Sequence, residues 1–372
     1  MPYDIDILAL ITNYYLEKNS RVQMKIISKN EIKQQFLNIL NNIGNEKWEV
    51  GNCCMVFVYN SIALIGNNDL HVSECVYDDE IKQIGDAFHY VPHLNLFTFD
   101  SEDKFIEHAP ILKSKYKKVF VYSMAQNLFG VGRRCLIPLL CEYYGFTNIS
   151  SNSRSSFLGG DKELMSDILT ADISMPSRLF LSNLDVNAIK TFKAKHKELI
   201  LKPNSESASI GVCKIPEGMS DDVLFKLIQT SLNNYCNIFL EEYISGDEVE
   251  CTVLPWANSL FVGDPVRIIK STEFLDYKTV AADAYDFEIY DNKDSHMIQQ
   301  LAFKAYNLLG FDSIARFDFI VCDEKPYLFD ITPNPTISYC SSANKAVSFI
   351  NNDDRTIYLM LLFNKLFVPS LD

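Results

Sequence analysis

Arg316-Phe317-Asp318-Phe319-Ile320-Val321, with the neighbouring stretch Tyr327-Leu328-Phe329-Asp330-Ile331, decides the fold that the sequence predicts. Both stretches are apolar runs of β type, and the polar link Asp323-Glu324-Lys325-Pro326 between them predicts a β-hairpin. The hairpin brings Asp318 and Asp330 side by side, where two like charges need a cation. Carboxylates with few other ligands suit Mg²⁺, which completes its shell with waters and phosphate oxygens. The hairpin is therefore predicted to be the floor of a nucleotide site; the alternative is a pair of solvent-facing acids.

A lysine at the end of an upstream strand supports the nucleotide site. Leu199-Ile200-Leu201-Lys202-Pro203 is an apolar strand, residues 204–211 (NSESASIG) are small and polar, and the strand pattern resumes at residue 212. Small residues let backbone N–H groups approach an anion, and Lys202 adds a positive charge for the same phosphates. The alternative is a purely structural hairpin.

A third segment has the properties of an adenine-binding strip. Residues 238–248 (IFLEEYISGDE) form an apolar strand and an acidic linker, followed by a second strand pattern at residues 249–254. Residues 241–244 offer backbone donors and acceptors beside apolar side chains, and Glu248 offers an acceptor for ribose hydroxyls. The alternative is an exposed connector.

Six motifs occur in the order and at the spacing of a known family. They are GFTNISSNSRSSFLGGDK, ILKPNSESASIGVCKI, FLEEYISGDEVECTVL, EFLDYK, IARFDFIV and LFDITPNP. By these motifs the chain resembles the ATP-grasp ligases, and within them the D-alanine:D-alanine ligase-like branch, from about Val119 to Ser341.

The resemblance implies a fold of α/β and α+β class in three parts. Residues 1–155 are expected to form an N-terminal α/β (pre-ATP-grasp-like) substrate domain, residues 156–240 a small central lid domain, and residues 241–372 a catalytic domain with an antiparallel sheet. The cofactors it implies are ATP and Mg²⁺, or Mn²⁺ in its place.

The resemblance also assigns roles to single residues. The residues matched to nucleotide binding are Lys162 and Lys202 at the phosphates, Ser209 in the phosphate loop, Glu241, Glu242, Tyr243 and Ile244 at the adenine, and Glu248 at the ribose. The residues matched to metal binding are Asp318, Asp330, Thr332 and Asn334. The residues matched to catalysis are Arg316, which stabilises the tetrahedral intermediate, Ser341, which receives the second substrate's carboxylate, and Lys278 in the substrate loop.

Several positions depart from the family pattern. The family usually has glutamate at Asp330 and asparagine at Thr332, so Asn334 is expected to compensate for the lost amide. Ser207 and Ala208 stand where the branch has glycine and serine, which predicts looser phosphate coverage.

The substrate side departs further. The family's loop lysine falls at Val280 by spacing, whereas this chain has Lys278 directly after Asp276-Tyr277. The N-terminal glutamate that grips the first amino acid in dipeptide ligases has no clear counterpart in residues 1–19. The identity of the substrate is therefore left open.

The function implied is an ATP-dependent ligase that joins a small carboxylate to a small amine through an acylphosphate, both expected to be amino acids. One alternative is an ATP-binding regulatory or interaction module of the same fold without ligase activity. Another is a different ATP-grasp reaction, such as carboxylation or tailoring of a peptide.

Bulk properties exclude other classes of function. The 372 residues carry a net charge of −14, which argues against binding the phosphate backbone of nucleic acids. The ten cysteines show no CxxC and no zinc spacing, so they are interpreted as reduced core residues. The first residues lack a secretory pattern, and no apolar run reaches roughly 18 residues. A cytoplasmic protein without nucleic-acid or membrane partners is expected, with a homodimer left open.

Overall fold

Three sheets with flanking helices make up the computed structural model, which describes residues 24–43, 52–62, 75–92, 94–126, 132–273, 275–282 and 284–366. The strands, numbered β1 to β15, are Lys25–Ile26, Cys53–Val58, Asn95–Phe99, Lys118–Ser123, Thr147–Asn148, Arg178–Leu181, Leu199–Pro203, Cys213–Ile215, Ile238–Glu242, Asp247–Trp256, Ser259–Val262, Val266–Lys270, Tyr285–Ile289, Ala315–Cys322 and Lys325–Pro333. The helices, numbered α1 to α12, are Lys29–Asn42, Asp78–His89, Glu102–Lys115, Leu136–Tyr144, Ser153–Gly160, Lys162–Leu169, Val186–Lys195, Asp221–Tyr235, Tyr277–Ala281, Ser295–Leu309, Ser342–Val347 and Thr356–Leu366.

The first sheet is parallel, with strand order β3-β2-β4-β5. Its central strands are continuous apolar runs because helices cover both faces of a parallel sheet. The helix α3 begins at Ser101, whose side chain accepts from the Lys104 N–H, and α4 ends at Gly145 in the left-handed region. Residues 1–19, in which a substrate-binding glutamate was sought, lie outside the described residues.

The second sheet is antiparallel, with strand order β6-β9-β7-β8. The helix α8 covers it with Leu224, Ile228 and Leu232, the stripe that the helical spacing predicts. We call this sheet with α7 and α8 the lid sheet. It carries Lys202 at the end of β7 and Glu241 on β9.

The third sheet has seven strands built around the long strand β10, which pairs with β11, β12 and β14. Side chains alternate along β14: Phe317 and Phe319 pack in the core, whereas Arg316 and Asp318 face the opposite side. The helix α10 packs below and ends at Gly310 in the left-handed region. This sheet supplies the floor of the candidate site.

The predicted hairpin is present as β14 and β15, and its turn is Asp323-Glu324, both with positive φ. A β-bulge between Asp318 and Phe319 shifts the register, so that Asp318 pairs with Asp330 whereas Phe319 pairs with Leu328. A regular register would have placed Asp330 on the other face, because a shift of one residue reverses the side chains. The bulge is therefore what brings the two carboxylates together.

The structure differs from sequence expectations in three segments. Residues 23–28 have a strand pattern, but among the described residues only Lys25–Ile26 form a strand. The pattern of residues 55–66 predicts two strands about Asn60-Ser61; the first is within β2, Ser61 forms an isolated bridge to Val76, and residues 63–66 lie outside the described residues. Residues 270–294 are poor in periodicity, which predicts a loop, but they contain α9 and β13. The strand β13 forms because Tyr285, Phe287 and Ile289 alternate with acids and find β12 as a partner.

The three sheets occupy residues 53–148, 178–242 and, apart from β1, 247–333. The domain boundaries drawn at residues 155 and 240 stay a prediction. The closing helix α12 packs against the parallel sheet and α2, with every residue from Thr356 to Phe363 buried. None of the helices in the described ranges has the length and apolar character of a membrane span.

Candidate active site

One cavity of about 730 Å³ lies where the three sheets meet. The floor contributes Glu248, Glu250, Arg316, Asp318, Asp330, Thr332 and Asn334. The lid sheet and its approach contribute Lys162, Lys202, residues 206–210 and residues 241–244. The end of β4 contributes residues 123–126, the approach to α2 and its first turn contribute residues 75, 77, 79 and 80, the approach to α4 contributes residue 134, and the start of α11 contributes residues 338–342. All but one of the residues assigned from the sequence line this cavity or contact its wall.

Three carboxylates lie in a row across the floor, on neighbouring strands at one register. Glu250 on β10 pairs with Asp318 on β14, which pairs with Asp330 on β15. Arg316, two residues before Asp318 on the same face, donates from Nε and Nη2 to the two Asp318 oxygens, both at 2.8 Å. Its Nε also lies 3.2 Å from Glu250 Oε1. In this structure a single guanidinium therefore balances two carboxylates.

Glu250 was not identified from the sequence. Its side chain is 5% exposed, and Oε2 has no hydrogen-bond partner among the described residues. Burial raises the Glu250 pKa to about 7, since Arg316 offsets only part of the cost and Asp318 adds to it. The available signal was the alternation Glu248-Val249-Glu250, which puts both acids on one face of the predicted strand.

Lys162 and Lys202 reach toward the hairpin from above. Lys162 Nζ donates to the Glu206 carbonyl at 2.9 Å and lies 3.6 Å from Asp330 Oδ1. Burial lowers the Lys162 pKa, with Arg134 and Lys202 adding to the effect against Asp330. The Asp330 pKa is lowered, because the attraction of Lys162 and Lys202 outweighs burial. Lys162, Lys202, Arg134 and Arg178 thus place positive charge around Asp330 at this end of the cavity, which is an environment that suits a polyanion.

Arg178 is a second residue that the sequence did not reveal. Its Nε donates to Glu241 Oε2 at 2.7 Å and its Nη1 to Ser166 Oγ at 2.6 Å. Lys202 Nζ donates to the other Glu241 oxygen at 2.6 Å, and Glu241 is 3% exposed. Burial alone would raise the Glu241 pKa, but Lys202 and Arg178 together lower it. The Glu241 side chain is thus anchored at the back of the lid sheet.

The adenine strip is only partly available to a ligand. The N–H groups of Glu242 and Tyr243 donate to the carbonyls of Ser177 and Glu198, at 2.9 and 3.1 Å. In the described part of the chain, the Ile244 N–H has no protein acceptor. Of the four predicted residues, Ile244 therefore offers the backbone donor for a base.

Glu248 has a partner that the sequence did not indicate. Lys270, the last residue of β12, lies with Nζ 2.5 Å from Glu248 Oε1, and each side chain is 10% exposed. The neighbouring pairing of β10 and β12 places the lysine there. A ribose hydroxyl would share the Glu248 carboxylate with Lys270.

The phosphate loop is held by contacts from both sides. Ala208 and Ser209 have φ values of 50° and 56°, and Ser209 Oγ donates to the Leu275 carbonyl at 2.8 Å. Arg133 Nη1 lies 3.1 Å from Glu206 Oε2, so of the two arginines of the 133–134 pair Arg133 ties the loop to the parallel sheet and Arg134 lines the cavity.

Of the remaining predicted residues, Ser341, Thr332 and Asn334 line the cavity and Lys278 does not. Ser341 caps α11, accepting from the Asn344 N–H, and lies in the wall. Thr332 Oγ1 lies 3.5 Å from Arg316 Nη2, and Asn334 Oδ1 accepts from the Ser151 N–H at 2.6 Å. Lys278 is exposed on α9 and is not part of the cavity wall, whereas Val280 is. The structure therefore does not bring Lys278 to the other site residues.

The donor chemistry of the floor fits a magnesium ion. Within the described ranges, no group of three or more His, Cys, Asp or Glu side chains is placed to hold a metal alone. Asp318 and Asp330 are nevertheless adjacent, and Mg²⁺ is commonly held by one or two carboxylates together with substrate phosphates. Glu250 lies beside Asp318, and one of its oxygens has no hydrogen-bond partner among the described residues.

Part of the chain matches a described family. Residues 183–349 match the family model "D-ala D-ala ligase C-terminus". A D-alanine–D-alanine ligase of Flavobacterium psychrophilum is 27% identical over 192 residues, which are 50% of this chain and 57% of that protein. One of Bacillus anthracis is 26% identical over 212 residues, 55% of this chain and 66% of the relative. The chain thus spans less than two thirds of the length of these curated relatives.

Solved structures extend the likeness over most of the chain. The D-alanine–D-alanine ligase of Bacillus anthracis complexed with ATP has a TM-score of 0.66 at 18% identity, covering 84% of this chain and 97% of that one. The VanG D-Ala:D-Ser ligase of Enterococcus faecalis has a TM-score of 0.64 at 18% identity, with coverages of 84% and 98%. At 18% identity this structural similarity supports a common fold, and it confirms the predicted fold class.

Proposed function

We propose that this chain, which is similar to ATP-grasp proteins of the D-alanine:D-alanine ligase-like branch, joins a small carboxylate to a small amine, with release of ADP and phosphate. One observation carries the proposal. The carboxylates of Asp318 and Asp330 and the ammonium groups of Lys162 and Lys202 line the same cavity, with Lys162 Nζ 3.6 Å from Asp330 Oδ1. Opposed charges of this kind suit a triphosphate held between a divalent ion and lysines.

In the first step a substrate carboxylate oxygen attacks the γ-phosphorus of ATP. A new O–P bond forms, the bond to the β,γ-bridging oxygen breaks, and ADP leaves with the electron pair. Lys162 and Lys202 neutralise the oxygens of the transferred group. Mg²⁺ held by Asp318 and Asp330 would supply further charge neutralisation at the phosphates. The side chains position reactants and cancel charge; none forms a covalent bond.

In the second step the amine attacks the acyl carbon and phosphate departs. The nitrogen forms a C–N bond, the acyl C–O bond breaks, and the proton lost by nitrogen leaves with the phosphate. Negative charge develops on the acyl oxygen, and Arg316 is the cation on the floor that can stabilise it. The two bonds from Arg316 to Asp318 fix the plane of the guanidinium in advance.

The acylphosphate must be shielded from water, and the structure has contacts for doing so. Ser209 in the phosphate loop bonds to Leu275, and Lys214 on β8 lies 2.5 Å from Glu273. Both contacts join the lid sheet to residues 271–282, which border the cavity. Breaking them would open an entrance for substrates, and closing them would exclude water.

Dependence of ADP release on both substrates is the decisive measurement. The purified chain with ATP and Mg²⁺ is offered a panel of amino acids and simple carboxylic acids, with and without an amine, and hydroxylamine is used to trap the acylphosphate. We expect trapping with a carboxylate alone and full turnover only with both substrates. Lys202→Ala should abolish ATP turnover, whereas Lys193→Ala, which removes a lid lysine remote from the cavity, should not.

Two results would reject the proposal. ATP binding with no substrate-dependent ADP release would favour the regulatory module. Near-normal ADP release by Lys202→Ala and Asp318→Asn would place the chemistry outside this cavity.

A further inference from the structure

Glu250 is the buried carboxylate for which the proposed reaction has not yet found a use. It is 5% exposed, it lines the cavity, and Oε2 has no hydrogen-bond partner among the described residues. Its other contacts are Arg316 Nε at 3.2 Å and the hydroxyl of Ser342 at the start of α11. A buried carboxylate oxygen without a donor is costly, so a ligand donor is the natural complement.

The side chains around Glu250 supply too few donors for its two oxygens. Arg316 is shared between Glu250 and Asp318, and its shorter contacts, both 2.8 Å, go to Asp318. One guanidinium thus serves two carboxyl groups in a mostly buried position, and one Glu250 oxygen stays without a donor. Because a buried polar atom without a partner is unfavourable, a donor on a molecule in the cavity would complete the group.

Glu250 lies at the end of the row of three carboxylates that is farther from the expected metal position. Asp330 lies at one end of the row beside Lys162, Asp318 lies in the middle, and Glu250 lies at the other end. Glu250 and Asp330 are two strand spacings apart, on the order of 10 Å. Arg316 lies against both Glu250 and Asp318, and among the described residues no three acids are placed to hold one metal ion together. A metal beside the phosphates therefore leaves Glu250 for another partner.

The three carboxylates also indicate where the reacting groups of the second step would lie. The phosphoryl group belongs at the Asp330 and Lys162 end, and the acyl oxygen belongs beside Arg316 in the middle. The attacking nitrogen adds to one face of the planar acyl group to give the tetrahedral intermediate, so it lies close to the acyl oxygen and to Arg316. Glu250 contacts Arg316 and the start of α11, which places it within reach of that nitrogen. Ser341, expected to receive the carboxylate of the second substrate, directly precedes Ser342.

We infer that Glu250 is a catalytic residue that accepts a hydrogen bond from the attacking amine and holds that nitrogen beside Arg316. The inference rests on the proposed function and adds a residue and a substrate contact to it. The class of nucleophile that fits is a primary amine bearing a carboxylate a few bonds away, because Glu250 contacts Ser342, the residue that follows Ser341.

The test separates the two half-reactions. Acylphosphate formation is measured without amine by hydroxylamine trapping, and the KM for the amine is measured in full turnover. Glu250→Gln keeps the shape of the side chain and removes its charge; Glu250→Asp keeps the charge on a shorter side chain. The matched control is Glu288→Gln on β13, an exposed acid of the same sheet that pairs with Arg267.

For Glu250→Gln we expect the KM for the amine to rise about 10- to 100-fold, with trapping changed by less than about twofold. Glu250→Asp should recover part of the loss, and Glu288→Gln should match the parent. An equal loss in trapping, together with a higher Mg²⁺ requirement, would instead make Glu250 a metal ligand. Unchanged KM in both Glu250 variants would make it a structural acid; either result overturns the inference.

A binding measurement decides the case even if no carboxylate is turned over. The parent and Glu250→Gln are titrated calorimetrically with glycine, both enantiomers of alanine, and ethylamine, in the presence of Mg²⁺ and a non-hydrolysable ATP analogue. We expect at least tenfold weaker binding of amino acids to Glu250→Gln, with unchanged affinity for the analogue. Equal affinities of both proteins would overturn the inference, whereas missing turnover alone would count only against the proposed function. A preference for ethylamine would refute the carboxylate-bearing class.

Discussion

Replacing Lys202 by methionine should separate ligand binding from stability. Lys202 Nζ lies 2.6 Å from Glu241 Oε1 and over the Phe329 ring at 4.9 Å, so the lysine already has partners inside the protein. Glu241 would keep Arg178 after the substitution, with Nη2 at 2.6 Å. The buried carboxylate would therefore remain paired, whereas the cavity would lose one of its cations.

The size of each effect follows from these contacts. A hydrogen bond between charged groups contributes about 1.5–3 kcal/mol and an aromatic contact about 0.5–1 kcal/mol. Removing a positive charge close to Lys162 relieves repulsion, because Lys202 helps to lower the Lys162 pKa. We therefore expect Lys202→Met to lose about 1–3 kcal/mol of unfolding free energy. Loss of a charged contact to phosphate, also about 1.5–3 kcal/mol, should weaken ATP binding roughly 10- to 150-fold.

Urea unfolding and calorimetric titration with a non-hydrolysable ATP analogue measure the two effects at one fixed salt concentration. Lys193→Met is the control: it removes a lid lysine whose Nζ lies 2.8 Å from Asp221 Oδ1 and should leave ATP affinity unchanged. The reasoning fails if Lys202→Met loses the expected stability but keeps ATP affinity within threefold of the parent. In that case Lys202 is a structural partner of Glu241 alone.

Three further substitutions test other parts of the structure. Burial, with Asp79 adding to it, raises the Glu80 pKa from 4.5 to about 7, so ionisation of Glu80 opposes folding. The stability contributed by protonated Glu80 is complete below pH 4.5 and is lost as pH rises through 7. Glu80→Gln should therefore raise unfolding free energy by roughly 1–3 kcal/mol at pH 8 and not at pH 4; equal urea curves at pH 8 would contradict this. Gly246→Ala would place a Cβ 2.2 Å from the Val321 carbonyl oxygen, so we expect a loss of about 1–3 kcal/mol and weaker ADP binding, and an unchanged urea midpoint would refute the close approach. Arg316→Lys loses the two-pronged grip on Asp318, and kcat should fall at least about tenfold with ATP affinity nearly constant; a parallel loss of ATP affinity would show that Arg316 acts on the nucleotide.

Local pattern was sufficient for those parts of the site that lie within one stretch of chain. The strand ending at Lys202, the small-residue loop and the turn at Asp323-Glu324 are each encoded by neighbouring residues. The bulge after Asp318 was not readable, although it decides which face Asp330 occupies. A register shift depends on how two strands pack on the rest of the sheet, and neither strand's own pattern records it.

The residues missed by sequence reasoning share a cause. Arg178, Glu250 and Lys270 each reach the site through pairing between strands that are distant in sequence, such as β6 with β9 and β10 with β14. A single sequence gives the period of a strand but not its neighbour, so a charged residue on an apolar strand looks like an ordinary exposed position. Lys278 shows the converse, because its place after Asp276-Tyr277 suggested a site residue that the helix α9 turns to solvent.

Many charged groups of the cavity have partners within the protein. Lys162 faces Asp330, Lys202 bonds to Glu241, Arg316 bonds to Asp318, and Lys270 lies against Glu248. If a nucleotide binds here as proposed, we expect the lysines to exchange these carboxylates for phosphate oxygens. Unpaired acids next to a triphosphate would repel it, so we expect the nucleotide to bind together with a divalent ion. Glu250 is not in these pairs: one of its oxygens, like one of Glu80 elsewhere in the wall, has no hydrogen-bond partner in the described chain, and its contact with Arg316 is why we assign it to the amine.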